Sequence, residues 1–156
     1  MKSKPIIIVA GEPNSIFFEI FFKSLKFKKY RSPLIMICSK KLLIDQMKKF
    51  RFKRKIELIN PINLTLKKIS NKNLNVIDVE LNFNSSSKKI FIDYNFYIKK
   101  CFDIAFKIIK SGLTNKLLNG PISKKKFLNK KFLGMTEYIS KKFNVTNNAM
   151  LIYNKK

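Results

Sequence analysis

PIIIVAGEPNS, residues 5–15, decides how the rest of the chain is read. Its β-branched run at 5–10 lacks the polar alternation of a half-exposed strand and predicts a strand covered on both faces, as in a parallel sheet. Gly11 closes the run, Glu12-Pro13-Asn14-Ser15 makes a turn, and Asn14 or Ser15 is placed to cap a helix. That helix is expected to reach about residue 29, with Ile16, Ile20, Ser24 and Phe27, flanked by Phe17 and Phe21, as its apolar face. Pro33 precedes a second expected strand at 34–38, after which Ser39 caps a second helix carrying Leu43, Met47 and Phe50 at i, i+4 and i+7. A third strand is expected at 55–59, ended by Asn60-Pro61. This β-α-β-α-β order argues for an α/β fold, a parallel or mixed sheet with flanking helices.

Downstream, residues 63–75 read as a polar loop, 76–81 as a strand, and 82–89, with Ser85-Ser86-Ser87, as a loose turn. A long helix is expected over 94–110, burying Ile98, Phe102, Ala105, Phe106 and Ile109, with Gly112 at its left-handed C-terminal cap. A last strand is expected at 149–153, either as a sheet edge or as a junction to something longer. With 156 residues and no repeat, heptad pattern or long linker, a single α/β domain over 1–156 is the expectation.

The formal charge is +25, yet 46% of the residues are apolar, which excludes a disordered basic tail. Arginine occurs only at 31, 51 and 54; the other basic residues are lysine. Alanine occurs only at 10, 105 and 149, whereas Lys, Asn, Ile and Phe, all encoded by AT-rich codons, abound. Genomic bias therefore explains the charge as well as a selected surface does. Nucleic acid becomes an unfavoured partner, since Arg is the residue suited to bidentate base and phosphate contacts. Cys38 and Cys101 sit among apolar residues with no CxxC, the setting of buried, inert thiols. No apolar run approaches the roughly 18–20 residues that span a bilayer, and 6–10 is too short for a signal peptide. A cytoplasmic location is the default expectation.

A second stretch, KLLNGPISKKKFLNKKFLGMTEYISKK at 116–142, carries the candidate chemistry. Leu117-Leu118 meets Asn119-Gly120-Pro121, and Ser123 is placed to cap a helix starting at Lys124. A strand that ends in Gly-Pro and feeds a helix is expected to leave backbone N–H groups open at the carboxyl edge of the sheet, where anions bind. Lys124, Lys125 and Lys126 have the wrong sign for a helix N-terminus, at a cost of a few tenths to about 1 kcal/mol that a bound phosphate would reverse. Against that stands the plainer reading, that three lysines in a lysine-rich chain point into water. Residues 132–137 open a further expected helix.

Other chemistry is thinly represented. Histidine is absent, so Ser-His triads and histidine-based zinc sites are excluded for this chain. Asp78 and Glu80 share one face of an expected strand, where solvated side chains are a better reading than a metal pair. Neither GxGxxG nor GxxxxGK[ST] is present.

Three segments nevertheless resemble one family. Gly11-Glu12-Pro13 followed by Ile16 and Glu19 resembles the GEPxGIGPE opening of the 4-hydroxythreonine-4-phosphate dehydrogenases of pyridoxal phosphate biosynthesis. Asn119-Gly120-Pro121-Ile122-Ser123-Lys124 looks like the family's TGPxxK segment, and Gly134-Met135-Thr136-Glu137-Tyr138 like its GHTE[FY] segment. The resemblance covers essentially the whole chain but only the amino-terminal half of a typical member. It implies half of an isocitrate/isopropylmalate-dehydrogenase-like fold in a longer, two-domain enzyme that works as a homodimer. The implied reaction is NAD-dependent oxidation, with decarboxylation, of 4-phosphohydroxy-L-threonine, assisted by a divalent metal (Zn, Mg or Co). Carried over by position, Thr136 is a substrate-binding candidate and Met135 replaces the family's histidine, with Gly120, Pro121 and Lys124 as further candidates. Ser15 and Phe17-Phe18 also depart from the small residues and proline of the opening motif. No catalytic residue and no metal ligand falls in this chain, so as a polypeptide alone it is expected to be inactive. The competing reading is a degenerate relic, or a basic module that binds RNA or another polyanion.

Overall fold

A computed structural model describes residues 3–27, 29–65, 69–81, 83–84, 91–92, 94–128, 131–152 and 154. The chain divides into two compact units, Met1–Ile122 and Ser123–Lys156. The first holds β1 (Ile6–Val9), α1 (Phe17–Phe27), β2 (Leu34–Cys38), α2 (Lys40–Lys49), β3 (Ile56–Leu58) and β4 (Leu74–Asp78). It continues through β5 (Phe83–Asn84), β6 (Phe91–Ile92), α3 (Tyr94–Lys110) and β7 (Leu117–Asn119). The second holds α4 (Lys124–Phe127) and α5 (Met135–Phe143).

Five strands form a wholly parallel sheet in the order β3-β4-β2-β1-β7. Its strands β1 and β2 are buried on both faces, as their unbroken apolar runs require. Ile8, Ala10, Met36, Cys38, Leu74 and Val76 share a core with Phe17, Phe18, Phe21 and Phe22 of α1 and Leu43 of α2. Successive strand residues face opposite ways, so Ile7, Val9, Ile35, Ile37 and Ile77 fill the other face, where α3 packs on β1 and β2. The expected α/β fold is present, with a helical layer on each side of the sheet.

Helix α1 departs from the expected orientation and starts later, at Phe17. Ile16, Ile20 and Phe27, assigned to its apolar face, are exposed, while Phe17, Phe18, Phe21 and Phe22 are buried. IFFEIFFKSLKF carries two adjacent apolar stripes, and a period of 3.6 does not choose between them. Area does: an aromatic stripe hides more surface. Phe22 stacks on Phe52 with ring centroids 4.5 Å apart.

Strand β4 begins two residues earlier than expected and stops before Val79. The reason is Asn75, a buried amide that an apolar pattern reads as loop. Its Nδ2 donates to the carbonyls of Leu34 and Ser70, both at 2.9 Å, so burial leaves it satisfied. In α3 it is Ile108 rather than Ile109 that is buried, alongside Tyr97 and Cys101. Gly112 takes the left-handed cap, φ +80°, with its N–H on Ile109 O. Phe83–Asn84 and Phe91–Ile92 pair as an antiparallel ribbon where 82–89 was expected to be loose; residues 82 and 85–90 lie outside the described residues.

The expected strand at 149–153 is not formed. Residues 149–152 pair with no strand, and Met150, Leu151 and Ile152 are exposed, because an apolar run without a ladder partner gains nothing from extension; Tyr153 lies outside the described residues. In the second unit Tyr138 is the buried centre, with Phe127 and Phe132 edge-on at 5.4 and 5.5 Å. Helix α5 ends at Asn144, φ 54°, where Val145 N–H reaches Ser140 O. Among the described residues no helix is long and apolar enough to cross a membrane.

Two outcomes follow. Phe22→Ala is expected to cost about 3–5 kcal/mol in a urea titration, and Ile20→Ala less than about 0.5 kcal/mol; equal costs would reverse the assignment of the buried face. Burial also pushes both thiols up, Cys38 well above the ordinary range and Cys101 to about 12. Unfolded thiols ionise near pH 8.5, so the native state holds these protons longer. Their contribution to stability is complete below that pH and is lost as pH rises toward the native pKa, by about 1.4 kcal/mol per unit for each thiol. Melts between about pH 8 and pH 10 should show the loss, and Cys101→Ala should make it shallower.

Candidate functional site

The chain leaves β1 for β2 on one side and returns through α3 to place β7 on the other side of β1. The carboxyl ends of β1 and β7 therefore form the point where the winding reverses, the usual ligand crevice of an open α/β sheet. Gly11-Glu12-Pro13 and Gly120-Pro121 meet there. Gly120 N–H donates to Val9 O at 2.8 Å and Glu12 N–H to Pro121 O at 2.9 Å. Both glycines are dictated by space. A Cβ on Gly120 would lie 2.1 Å from Ala10 O, and one on Gly11, which also has φ +80°, would lie 2.4 Å from Pro121 O.

These bonds correct one expectation. The N–H groups of Gly120 and Glu12 are consumed by the β1–β7 seam, and Pro121 has none to offer. Asn119 Nδ2 donates to Gly120 O at 3.1 Å and closes the turn from the side. Gly120 is buried and Pro121 exposed. What this edge offers a ligand is a fixed backbone wall more than a cradle of open donors.

The other carboxyl ends, of β2 and β4, border a cleft of about 450 Å³ whose lining includes Ser39, Lys41, Asp45, Asp78 and Glu80. Ser39 Oγ accepts from Leu42 N at 3.3 Å, Asp78 Oδ1 accepts from Lys40 N at 2.8 Å, and Ser39 N donates to the Tyr97 hydroxyl at 2.8 Å. Asp78 is thus a long-range cap for α2, a role no local spacing announces. Among the described residues no group of three His, Cys, Asp or Glu could hold a metal ion. The described residues therefore form no such group for the metal that the motif resemblance implies.

The remaining candidates belong to the second unit. Lys124, Lys125 and Lys126 are all exposed on α4, a single turn. Ser123 stands at its N-cap position, but its side chain makes no capping bond, and one turn has little dipole to offer an anion. Met135 and Thr136, both half-buried, share the first turn of α5. Among the described residues the Thr136 hydroxyl takes no hydrogen bond. Glu137 folds back over the N-cap residue Gly134, its Oε2 3.0 Å from where a Cβ would stand. A negative charge already faces this helix end, the arrangement favoured by the dipole.

The glycines give the sharpest test of the seam. Gly120→Ala and Gly11→Ala are each expected to cost several kcal/mol or abolish folding, because backbone must move. Gly112→Ala, with a left-handed φ but open space around it, should cost only about 1–2 kcal/mol. Circular dichroism melts read the ranking.

No family model matches the chain. A curated 4-hydroxythreonine-4-phosphate dehydrogenase from Wigglesworthia glossinidia brevipalpis is 29% identical over 157 residues, covering 98% of this chain and 46% of that protein. Among solved structures, the 4-hydroxythreonine-4-phosphate dehydrogenase of Klebsiella pneumoniae matches at TM-score 0.69 and 21% identity, covering 92% of this chain and 46% of the other. That of Burkholderia phymatum matches at TM-score 0.70 and 18% identity, over 93% and 45%. A Salmonella typhimurium protein assigned the same activity matches at TM-score 0.76 and 20% identity, over 99% and 49%. The chain spans about half the length of the relatives it matches. Over nearly all of its own length it resembles the amino-terminal half of 4-hydroxythreonine-4-phosphate dehydrogenases.

Proposed function

We propose that this chain supplies the substrate-binding part of a two-domain 4-hydroxythreonine-4-phosphate dehydrogenase and does not turn over unaided. The observation that carries the proposal is the β1–β7 seam: the Gly11 and Gly120 motifs, 109 residues apart in sequence, lock together at the ligand-binding edge of the sheet. The 29% identity to a curated 4-hydroxythreonine-4-phosphate dehydrogenase supports a small phosphorylated hydroxy acid as the substrate.

Thr136 is the side chain assigned to that substrate. It stands on the first turn of α5, and its hydroxyl, which takes no hydrogen bond among the described residues, is able to donate to a phosphate or carboxylate oxygen. Met135 occupies the neighbouring contact. Its thioether is a weak acceptor and cannot donate, so it contributes shape and no charge-assisted bond. Lys124, exposed in the same unit, offers a mobile positive charge, while Gly120 and Pro121 are assigned through their motif. NAD would receive the hydride, and a divalent metal would polarise the substrate hydroxyl. The ligand set for that metal, the NAD contacts and the homodimer are properties carried with the family, and no step of the reaction is assigned to side chains of this chain.

Three measurements test the reading. The purified chain, given 4-phosphohydroxy-L-threonine, NAD and Zn²⁺ or Mg²⁺, is expected to produce no NADH; turnover would overturn the claim of dependence on a second half. Calorimetric titration should detect substrate binding that Thr136→Val weakens about 10-fold, the worth of one hydrogen bond to a charged group. Met135→His should tighten binding, more below about pH 6.5 than above it, because the imidazolium donates to an anion. Unchanged affinity in both variants would remove α5 from the site.

A further inference from the structure

We propose that a cavity at the amino-terminal edge of the sheet binds a small organic anion with a flat apolar body. It has a volume of about 570 Å³ and lies where α1 ends and where β2 and β4 begin. That size is in the range of ordinary ligand sites, about 300–1,000 Å³. All five strands of the sheet run parallel, so this edge is opposite the Gly11–Gly120 seam.

Three features define what fits. Lys26, Lys29, Arg54 and Lys72 all line the cavity, and among the described residues no Asp or Glu does. Four cations share this one concavity and repel one another until an anion enters. Arg54, the only arginine in the lining, brings a planar fork suited to a phosphate or carboxylate. The floor is apolar, built from Phe21, Leu25, Leu34, Met36 and Leu74, with the Tyr30 ring beside it.

Of the three amides in the wall, Asn73 Nδ2 donates to Glu57 Oε2 at 3.4 Å, and the other two are already spent. Asn71 Nδ2 donates to Tyr30 O at 2.6 Å and Ser32 O at 3.2 Å, and its Oδ1 accepts from Leu34 N at 3.2 Å. Asn75 is held by Leu34 and Ser70. Polar recognition therefore falls to the cations, and the ligand needs negative charge joined to an apolar body. A concave site favours a small molecule over a nucleic-acid strand, which would need a track of charge and successive stacking platforms.

The probes are 1-naphthyl phosphate, inorganic phosphate and 1-naphthol, titrated calorimetrically into the full chain at about 0.15 M salt, where loose surface charge is screened. One molecule of 1-naphthyl phosphate is expected to bind at least about 10-fold more tightly than either half. Arg54→Gln with Lys72→Gln should weaken it about 10-fold or more, while Lys141→Gln with Lys142→Gln, removing equal charge from α5, should change it less than about 2-fold. Both pairs should melt like the parent; if the first does not, Lys26→Gln with Lys29→Gln replaces it. Binding no tighter than inorganic phosphate, or equal losses in the cavity and α5 variants, would overturn the proposal.

Discussion

The structure depends on a close approach between peptide groups at the β1–β7 seam. Gly120 lies so near the Ala10 carbonyl, and Gly11 so near that of Pro121, that neither position has room for one more carbon atom. That contact draws β7 against β1 and fixes the order β3-β4-β2-β1-β7. With α1 and α2 already covering one face, α3 must cross on the other to deliver β7, which is the right-handed solution for both crossovers. The three layers follow from one backbone seam and from the handedness of the chain.

The seam changes what the carboxyl edge can do. A strand ending in Gly-Pro promised unpaired donors, but the parallel strand beside it takes the Gly120 N–H first, and Pro121 has none. The proposed substrate contact accordingly falls to α5, where the Thr136 hydroxyl takes no hydrogen bond among the described residues. The lysines of α4 stay in water, as expected of a chain whose composition favours lysine almost everywhere. Charge becomes informative only where shape concentrates it, as beside Arg54 and Lys72 at the opposite edge.

Much of the fold was legible because its signals are local. Ile6–Val9 and Leu34–Cys38 are apolar throughout, Ser39 caps α2, and Gly112 closes α3. What stayed hidden was decided by distant partners. Asn75 enters β4 because Leu34 and Ser70 meet its amide, Asp78 caps a helix that begins 38 residues earlier, and α1 turns toward the side that buries more ring area. The terminal apolar run misled for the same reason, since apolarity describes a willingness to be buried and says nothing of a neighbour. For the candidate site, motif order nominated Gly120, Pro121, Lys124, Met135 and Thr136, while which of their polar groups are engaged depends on partners distant in sequence.

Parallel pairing across a long interval also has a consequence during synthesis. Ile7 is paired with Leu117, so β1 waits for 110 more residues before its second neighbour exists. At about 5–20 residues per second that wait lasts roughly 5–20 s. Through it, an isoleucine-rich strand presents one unpaired edge while β2 guards only the other. A nascent chain of this fold therefore passes through an interval in which chaperone capture, and not thermodynamic stability, decides its yield.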